Sequence, residues 1–249
     1  MAGGSAPGAS LVDRTVQVLL AFGPDHRRLR LADLAQRCGL PAPTALRIVR
    51  RLVAAGFLER RDGGEYVVGR RVWDLGLLAP VQTDLRDVAA PFLQDLQAAT
   101  RATVHLAERD GDRVLYLDRL AGVDAVPVVS RVGGRLPLHT TGVGKVLLAH
   151  APAEVQQRVL AGLTRVTAYS ITSPAVLARQ LAQVRRDGFA STHGEMDLAN
   201  ASVAVPVRGA DGQVVAALGL VVASLRRDRP RLVAALSVAA AGLSRELRG

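Results

Sequence analysis

The residues best suited to chemistry lie between positions 43 and 61, where arginine recurs on one face of a predicted helix. That face carries Thr44, Arg47, Arg50 and Arg51, and the opposite face carries the apolar residues Ala45, Ile48, Val49 and Leu52. The guanidinium fork of arginine can donate two hydrogen bonds to guanine O6 and N7, or bind a phosphate. The first turn of a DNA-reading helix points into the major groove, so Thr44 and Arg47 are predicted to contact base edges. Arg50 and Arg51 are predicted to contact phosphates, although an ordinary surface helix with solvated arginines is the alternative.

A preceding helix and a sharp turn must hold that face in position. Leu31 and Leu34 lie on the apolar side of the preceding helix, and Gly39 follows where the chain has to turn. Pro41 and Pro43 suit the opening turn of the arginine-bearing helix, because the first amides of a helix have no partner within it. Pro43 therefore belongs with the candidate DNA-contacting residues.

A hairpin is predicted directly after this two-helix motif. Two short strands, Phe57–Arg61 and Glu65–Val68, flank Asp62-Gly63-Gly64, a sequence that suits a tight turn with positive φ angles. Arg60 and Arg61 lie at the tip and can contact the phosphate backbone. Together the helices and the hairpin predict a winged helix.

The charge distribution agrees with a polyanion-binding N-terminal part. The chain has 249 residues, enough for one large domain or two modest ones, and a formal charge of +10. Residues 1–71 contain 12 arginines against 6 acidic residues, whereas residues 72–249 contain 20 basic and 16 acidic residues. The smaller part thus carries the larger excess of positive charge.

Cysteine usage and hydropathy favour a cytoplasmic protein. Cys38 is the single cysteine, so no disulfide can form within the chain, as expected in a reducing compartment. The N-terminal residues MAGGSAPGAS lack the basic start and apolar run of a signal peptide. The apolar stretches are also too short to span a bilayer, so we expect no membrane association.

Apolar periodicity changes from helical to alternating along the rest of the chain. Helices are predicted at Leu11–Phe22 with Ser10 as N-cap, Arg70–Ala79, Gln82–Ala99, Thr141–His150, Ala153–Ala161 and Pro174–Asp187, and after Asp228, which can cap a helix reaching Leu247. Strands are predicted at Thr103–Glu108, Val114–Leu120, Ala125–Arg131, Phe189–His193, Ser202–Val207 and Val214–Ala223. A mixed antiparallel sheet with helices around it indicates an α+β domain.

Several motifs occur in the order typical of one family. The N-terminal ones are Arg14, Gly39-Leu40-Pro41 before Thr44 and Arg47, Tyr66-x-Val68-Gly69 and Leu75-Gly76. The C-terminal ones are Arg131-x-Gly133, Pro137-x-His139, Gly144-Lys145-x-Leu147-Leu148-Ala149, Arg185-x-x-Gly188-Phe189-Ala190, Glu195 and Ala204-Val205-Pro206-Val207. From about Ser10 to its C-terminus the chain therefore resembles the IclR family of bacterial transcription regulators. It departs from the family at Ala42 and Pro43, where a basic residue and a serine are usual, so the operator sequence cannot be carried over.

The resemblance implies a fold and a function. It implies a winged helix-turn-helix domain at residues 10–71, a linker helix at 72–80 and a GAF-like effector-binding domain at 81–249. A small metabolite bound to the effector-binding domain would control the affinity for operator DNA, because it would bind two conformational states of the protein unequally. The family also implies homodimers, often paired into tetramers, and most members repress while some activate. The effector, the operator and the sign of regulation stay open at this stage.

The resemblance also indicates which residues line the effector pocket. They are Gly142 and Val143 in a loop that closes the pocket, and Ser202, Gly219 and Val221 on strands. Thr192, which can anchor a polar group, completes the predicted set. Family members that bind small carboxylic acids tend to have Cys or Ser at the Ser202 position and serines along the last strand. Here Gly219 and Val221, which share one strand face, replace those serines.

This composition favours a ligand with an apolar or aromatic body and one polar head, such as an aromatic acid. Thr192, Ser202 and amides around Gly142 can anchor one carboxylate or hydroxyl, the remaining wall is apolar, and the glycines are expected to leave extra room. A small polar acid would leave groups unpaired there at about 1–3 kcal/mol each. The alternative is that Gly219 and Val221 only pack the sheet and that the ligand binds elsewhere.

Other chemistries match the sequence less well. Gly144-Lys145 lacks the remainder of a phosphate-binding loop, since Val146 stands where Ser or Thr would bind magnesium, so we expect Lys145 to form a structural ion pair. The histidines show no metal-ligand spacing, and His139 is expected to form a hydrogen bond in the family's loop. Neither a metal nor a cofactor is predicted.

Two alternative functions remain. Ser202, His193 and Glu195 are close in sequence and could form a hydrolase site, which would make the chain a small-molecule hydrolase with an appended DNA-binding domain. No nucleophile-elbow motif surrounds Ser202, so this is the weaker hypothesis. A structural scaffold on DNA would show no response to any small molecule.

Overall fold

The chain divides into two units, Met1–Val81 and Gln82–Gly249. The computed structural model describes residues 10–23, 25–78, 83–122, 125–226 and 228–248. The first unit has one apolar core, and the second has one on each face of its sheet.

Helices and a small sheet form the first unit. In chain order its elements are α1 (Leu11–Leu20), β1 (Leu29–Arg30), α2 (Leu31–Cys38), α3 (Ala42–Ala54), β2 (Leu58–Arg60), β3 (Glu65–Val68) and α4 (Arg70–Leu77). Ser10 and Asp13 form a capping box at the start of α1, which confirms the predicted N-cap. Gly39 ends α2 with φ 62°, a left-handed conformation that glycine adopts without strain, and so allows the turn into α3.

The wing is a three-stranded sheet in the order β1-β3-β2. Both strands of the predicted hairpin form, with β2 shorter than expected. Gly64 has φ 75°, whereas Gly63 in the same turn does not have a positive φ. The pattern of the sequence did not predict β1, because two residues are too few to show alternation.

The apolar side of α1 faces outward rather than into the core. Val18 is fully buried in the first unit's core, against α2 and α3. Val12, Val16 and Leu20 recur at four-residue spacing, and 70%, 47% and 75% of their respective surfaces are exposed. This unit therefore presents an apolar stripe that its own core does not cover.

A six-stranded antiparallel sheet, in the order β6-β5-β4-β9-β8-β7, forms the centre of the second unit. Its elements are α5 (Thr83–Thr100), β4 (Thr103–Asp110), β5 (Arg113–Leu120), β6 (Arg135–Pro137), α6 (Gly142–Ala149), α7 (Ala153–Ala161), α8 (Pro174–Asp187), β7 (Ala190–His193), β8 (Ala201–Arg208), β9 (Val214–Val222) and α9 (Arg229–Glu246). Helices α5 and α9 pack on one face of the sheet, and α6, α7 and α8 lie on the other. The α+β architecture predicted from the sequence is confirmed.

Two sequence-based predictions about this unit are wrong. Ala125–Arg131 does not form a strand, and the strand beside β5 is β6, Arg135–Pro137. Pro127 lies inside the predicted strand, where it lacks an amide hydrogen, and its carbonyl accepts a hydrogen bond from the Asn200 side chain instead. Asp228 occupies the N-cap position of α9, but its side chain makes no capping hydrogen bond.

A buried ion pair holds α6 against the chain that follows β7. The Lys145 ammonium lies 2.6 Å from the Glu195 carboxylate and 2.8 Å from Gln180 Oε1 on α8, and the Lys145 side chain is 1% exposed. The structural ion pair predicted for Lys145 is thereby confirmed.

No helix among the described residues is long and apolar enough to cross a membrane.

Candidate functional site

The arginines of α3 project from the face opposite its core contacts. Ala45, Ile48, Val49 and Leu52 are buried, as the helical spacing predicted. Arg47, Arg50 and Arg51 are exposed, as is Pro43 in the first turn, while Thr44 is half-buried. Their position on an exposed helix preceded by a glycine turn suits insertion into a DNA groove.

The wing adds two further cations. Arg60 and Arg61 are both exposed, and the Arg61 guanidinium lies 3.3 Å from the Glu59 carboxylate. Within the described part of the chain, Arg47, Arg50, Arg51 and Arg60 make no ion pair. Four guanidinium groups thus remain available for a polyanion, whereas Arg61 already has a carboxylate partner.

A cavity lies between the second unit's sheet and the first turn of α6. It contains about 510 Å³ of empty space, including its mouth. All six residues predicted to form the effector pocket line it: Gly142, Val143, Thr192, Ser202, Gly219 and Val221. Val128, Val129 and Ser130 contribute from the segment before β6, and Met196, Asp197 and Asn200 from the segment after β7.

Two hydroxyl groups and a helix N-terminus form one polar wall of the cavity. Thr192 Oγ1 and Ser202 Oγ are 2.6 Å apart, and the Gly142 amide donates to Ser202 Oγ at 3.2 Å. One hydroxyl must donate to the other, so one hydroxyl hydrogen of the pair remains for a ligand. The Val143 amide, in the first turn of α6, has no acceptor among the described residues. This wall can therefore donate hydrogen bonds to an anion, and the helix dipole favours one there.

Glycine is required where α6 meets the sheet. A Cβ at Gly142 would lie 2.7 Å from Ser202 Oγ, so a larger residue would displace the hydroxyl that accepts from the Gly142 amide. The space beside Gly219 is already filled, because a Cβ there would lie 2.7 Å from Val143 Cγ1. The prediction that the glycines leave extra room for the ligand is thus wrong at Gly219, whose missing side chain accommodates Val143 instead.

A second polar group, which sequence reasoning missed, lies along the same wall of strands. His105 on β4 lines the cavity, is 3% exposed, and its Nε2 lies 2.7 Å from Ser130 Oγ. Its ring packs edge-on against Tyr116, with centroids 5.0 Å apart. The alternation of β4 could have placed His105 on the inner face, but nothing in the sequence links it to Ser130, 25 residues later.

Burial and a nearby cation keep His105 neutral. Desolvation, with the positive charge of Arg119 as a smaller contribution, lowers the pKa of His105 from 6.5 to about 3. A neutral imidazole has one nitrogen that donates and one that accepts. At neutral pH, His105 therefore offers a hydrogen-bonding group without charge.

The structure does not bring together the residues of the hydrolase site or of a metal site among the described residues. Thr192 pairs with Ser202, and its neighbour His193 points to the opposite face of β7 because side chains alternate along a strand. Glu195 is bound to Lys145, so Ser202, His193 and Glu195 do not form a hydrolase site. His139 Nε2 lies 2.9 Å from the Thr164 carbonyl oxygen, which confirms its predicted hydrogen-bonding role. No cluster of metal-ligating side chains occurs among the residues that the structure describes.

Comparisons with known proteins agree with this architecture. Residues 11–62 match the model of the IclR helix-turn-helix domain, and residues 79–245 match that of the bacterial transcriptional regulator IclR C-terminal domain. The regulator XynR of Escherichia coli is 31% identical over 89% of this chain and 89% of its own. The regulator KdgR of Escherichia coli is 30% identical over 96% of this chain and 92% of its own.

Among solved structures, an IclR homolog from Microbacterium hydrocarbonoxydans in complex with 4-hydroxybenzoate superposes with a TM-score of 0.91. It is 37% identical and the match covers 96% of this chain and 99% of that chain.

The pKa of His105 predicts how stability depends on pH. The unfolded chain binds a proton on this histidine below pH 6.5, while the folded chain does not until about pH 3. The free energy of unfolding should therefore fall by about 1.4 kcal/mol per pH unit as the pH drops below 6.5. His105→Phe should remove this contribution in urea unfolding measured from pH 7 to pH 5. His193→Phe, at an exposed position, should keep the slope of the wild type, and an unchanged slope in His105→Phe would contradict a neutral His105.

Proposed function

The chain belongs to the IclR family of bacterial transcriptional regulators, and on this premise we propose how its parts divide the work. As a member it is a DNA-binding regulator with an effector domain and is not an enzyme. In our proposal residues 10–71 bind operator DNA, residues 72–80 link the units and residues 81–249 hold the effector. The regulator would act in the cytoplasm, where operator DNA and metabolites meet.

The exposed arginines support the assignment of the DNA interface. Arg47 lies one turn into α3 and forms no ion pair with described residues, so its fork is available to a guanine edge. Arg50, Arg51 and Arg60 flank it and would neutralise phosphates. Thr44 and Pro43 lie at the end of the helix that enters the groove. Arg61 contributes less than the others, because binding DNA requires it to leave Glu59.

Arg47→Ala should cost about 1–3 kcal/mol on an operator selected from a random-sequence pool, and should relax the preference at one base position. Arg60→Ala should weaken binding to all sequences alike, because a phosphate contact carries no base information. Arg179→Ala, which removes the same charge at an exposed position of α8, is the matched control and should leave affinity unchanged. An Arg47→Ala variant with wild-type gel-shift affinity would show that the reading face lies elsewhere.

The cavity supports an aromatic acid as the effector. Its polar wall offers the Thr192–Ser202 pair and the Val143 amide to one carboxylate, and much of the remaining lining is apolar. None of the described residues that line it is a lysine or arginine, so a ligand gains little there from charge alone. The Microbacterium relative binds an aromatic acid in a chain of the same fold. We infer that binding favours the state with lower operator affinity, as expected of a repressor.

Calorimetry with aromatic acids beside pyruvate and glyoxylate should detect binding of aromatic acids alone. Ser202→Ala removes a hydroxyl from the polar wall and should weaken that binding by about 1.5–3 kcal/mol, the value of a hydrogen bond to a charged group. Ser191→Ala makes the same change on the opposite face of β7 and should leave it intact. In gel shifts the bound acid should release operator DNA. Tight binding of pyruvate or glyoxylate, without any response to larger acids, would refute the proposed ligand class.

The apolar stripe of α1 supports pairing of two chains. Val12, Val16 and Leu20 are exposed in a unit that must read DNA, and Trp73 and Leu78 are 66% and 78% exposed around α4. Burying such side chains stabilises an association by about 25 cal/mol for each Å² removed from water. Two chains would form a dimer through these surfaces, and two dimers could pair into a tetramer.

Leu20→Glu should halve the molecular mass seen in sedimentation velocity, because a carboxylate would be buried without a partner at the interface. The native side chain is 75% exposed, so the substitution should leave the fold of the unit intact. Leu198→Glu, which places the same charge at a position 62% exposed in the second unit, should not change the mass. A wild-type chain that sediments as a monomer would rule out this pairing.

A further inference from the structure

The cavity is polar at two places, and the proposed function uses only one of them. The Thr192–Ser202 pair and the first turn of α6 form the first, which would hold the carboxylate. His105 lies beyond it on β4, and its Nε2 is bound to Ser130 Oγ. Its other ring nitrogen, Nδ1, makes no hydrogen bond to any described residue. A residue that is only 3% exposed therefore keeps one polar atom, beside the cavity, without a partner among the described residues.

Strand pairing fixes the distance between these two places. His105 is opposite Gly219 on β9, and Gly219 is opposite Ala204 on β8. Ser202 precedes Ala204 by two residues, so it points to the same face as His105. Two strand spacings across and two residues along give a separation of roughly 12 Å between the two Cα atoms. That span suits a single ring with a polar group at each end.

Asn200, another residue that lines the cavity, contains a second polar atom without a described partner. Its Nδ2 donates to the Pro127 carbonyl at 2.7 Å, which fixes the orientation of the amide. Oδ1 is consequently an acceptor, and it is buried without a partner among the described residues. An apolar ligand end would leave such an acceptor unsatisfied, whereas a hydroxyl hydrogen could satisfy it.

We propose that His105, oriented by Ser130, is a specificity-determining residue that binds a hydroxyl group on the aromatic acid, opposite its carboxylate. The inference rests on the proposed function, because it requires the acid to occupy this cavity. A hydroxyl suits His105 in either tautomer, since it can donate to Nδ1 or accept from it. A second carboxylate would not suit this place. Asp197 already lines the cavity, and none of the described lining residues is a lysine or arginine.

The test compares two probes that differ by one hydroxyl, benzoate and 4-hydroxybenzoate, in calorimetry on the full chain. The wild type should bind 4-hydroxybenzoate on the order of 10-fold more tightly than benzoate, the value of one hydrogen bond in a buried site. His105→Phe keeps an aromatic ring beside Tyr116 but removes both nitrogens. It should bind the two acids about equally, by losing affinity for 4-hydroxybenzoate while its affinity for benzoate stays the same.

Two further variants make the result specific. Ser130→Ala keeps the imidazole but removes the hydrogen bond that orients it, so part of the preference for 4-hydroxybenzoate should be lost. If His105→Phe does not fold, this variant still tests the role of His105. His193→Phe, at an exposed histidine on the far face of β7, should retain the full preference.

The outcomes separate the two proposals. If the wild type binds both acids and neither His105→Phe nor Ser130→Ala changes their ratio, the role of His105 is wrong and the aromatic-acid effector stands. An equal loss of affinity for both acids in these variants would mark His105 as structural and likewise overturn the inference. If the wild type binds neither benzoate nor 4-hydroxybenzoate, both proposals fail together.

Discussion

The ion pair between Lys145 and Glu195 fixes the two walls between which a ligand must fit. Lys145 belongs to α6, whose first turn forms the polar wall, and Glu195 opens the segment that covers the cavity after β7. Burial lowers the pKa of Lys145 and raises that of Glu195, while each charge counteracts the effect on the other. Loss of one partner would leave an uncompensated buried charge, at about 3–5 kcal/mol. Thr167 and Ser170 extend the arrangement, since their hydroxyls donate to the carbonyls of Gly194 and Glu195. The position of the cavity thus depends on the Lys145–Glu195 ion pair, although neither residue lines the cavity.

The same arrangement would let a cavity with no lysine or arginine among its described lining residues select an acid. Lys145 lies only three residues after Gly142, yet its charge is neutralised by Glu195 and it does not line the cavity. Recognition of a carboxylate would therefore depend on neutral donors, namely the Val143 amide and one hydroxyl hydrogen of the Thr192–Ser202 pair. Such donors are directional, so they favour a carboxylate presented at one angle by a rigid body. A mobile cation in the same place would bind small and large acids with less distinction.

The resemblance to the family located part of the cavity lining but could not complete it. The six predicted residues line one cavity because the family's motifs carry over position by position, and strand alternation puts Gly219 and Val221 on one face. His105 and Ser130 escaped prediction since their pairing depends on how the segment before β6 folds over the sheet, and that segment was wrongly predicted as a strand. The role of Gly219 was misjudged for a similar reason. A missing side chain shows that space is needed, but only the packing of α6 shows that Val143 fills it.

A ligand in this cavity would contact α6 and the covering segment, and each of these is held in place by its own packing or hydrogen bonds. Val143 contacts the ligand site on one side and fills the space beside Gly219 on the other, so the helix cannot move toward β9 without a clash. The covering segment is held to Pro127 by the Asn200 side chain, and Pro127 lies three residues before Ser130, which hydrogen-bonds to His105. Asn200 and His105, one side chain from each of these hydrogen bonds, also have a polar atom without a partner among the described residues. A ligand hydroxyl that satisfies one of those atoms would stabilise the closed cover more than an open one, and only such a difference between states can change the affinity for DNA.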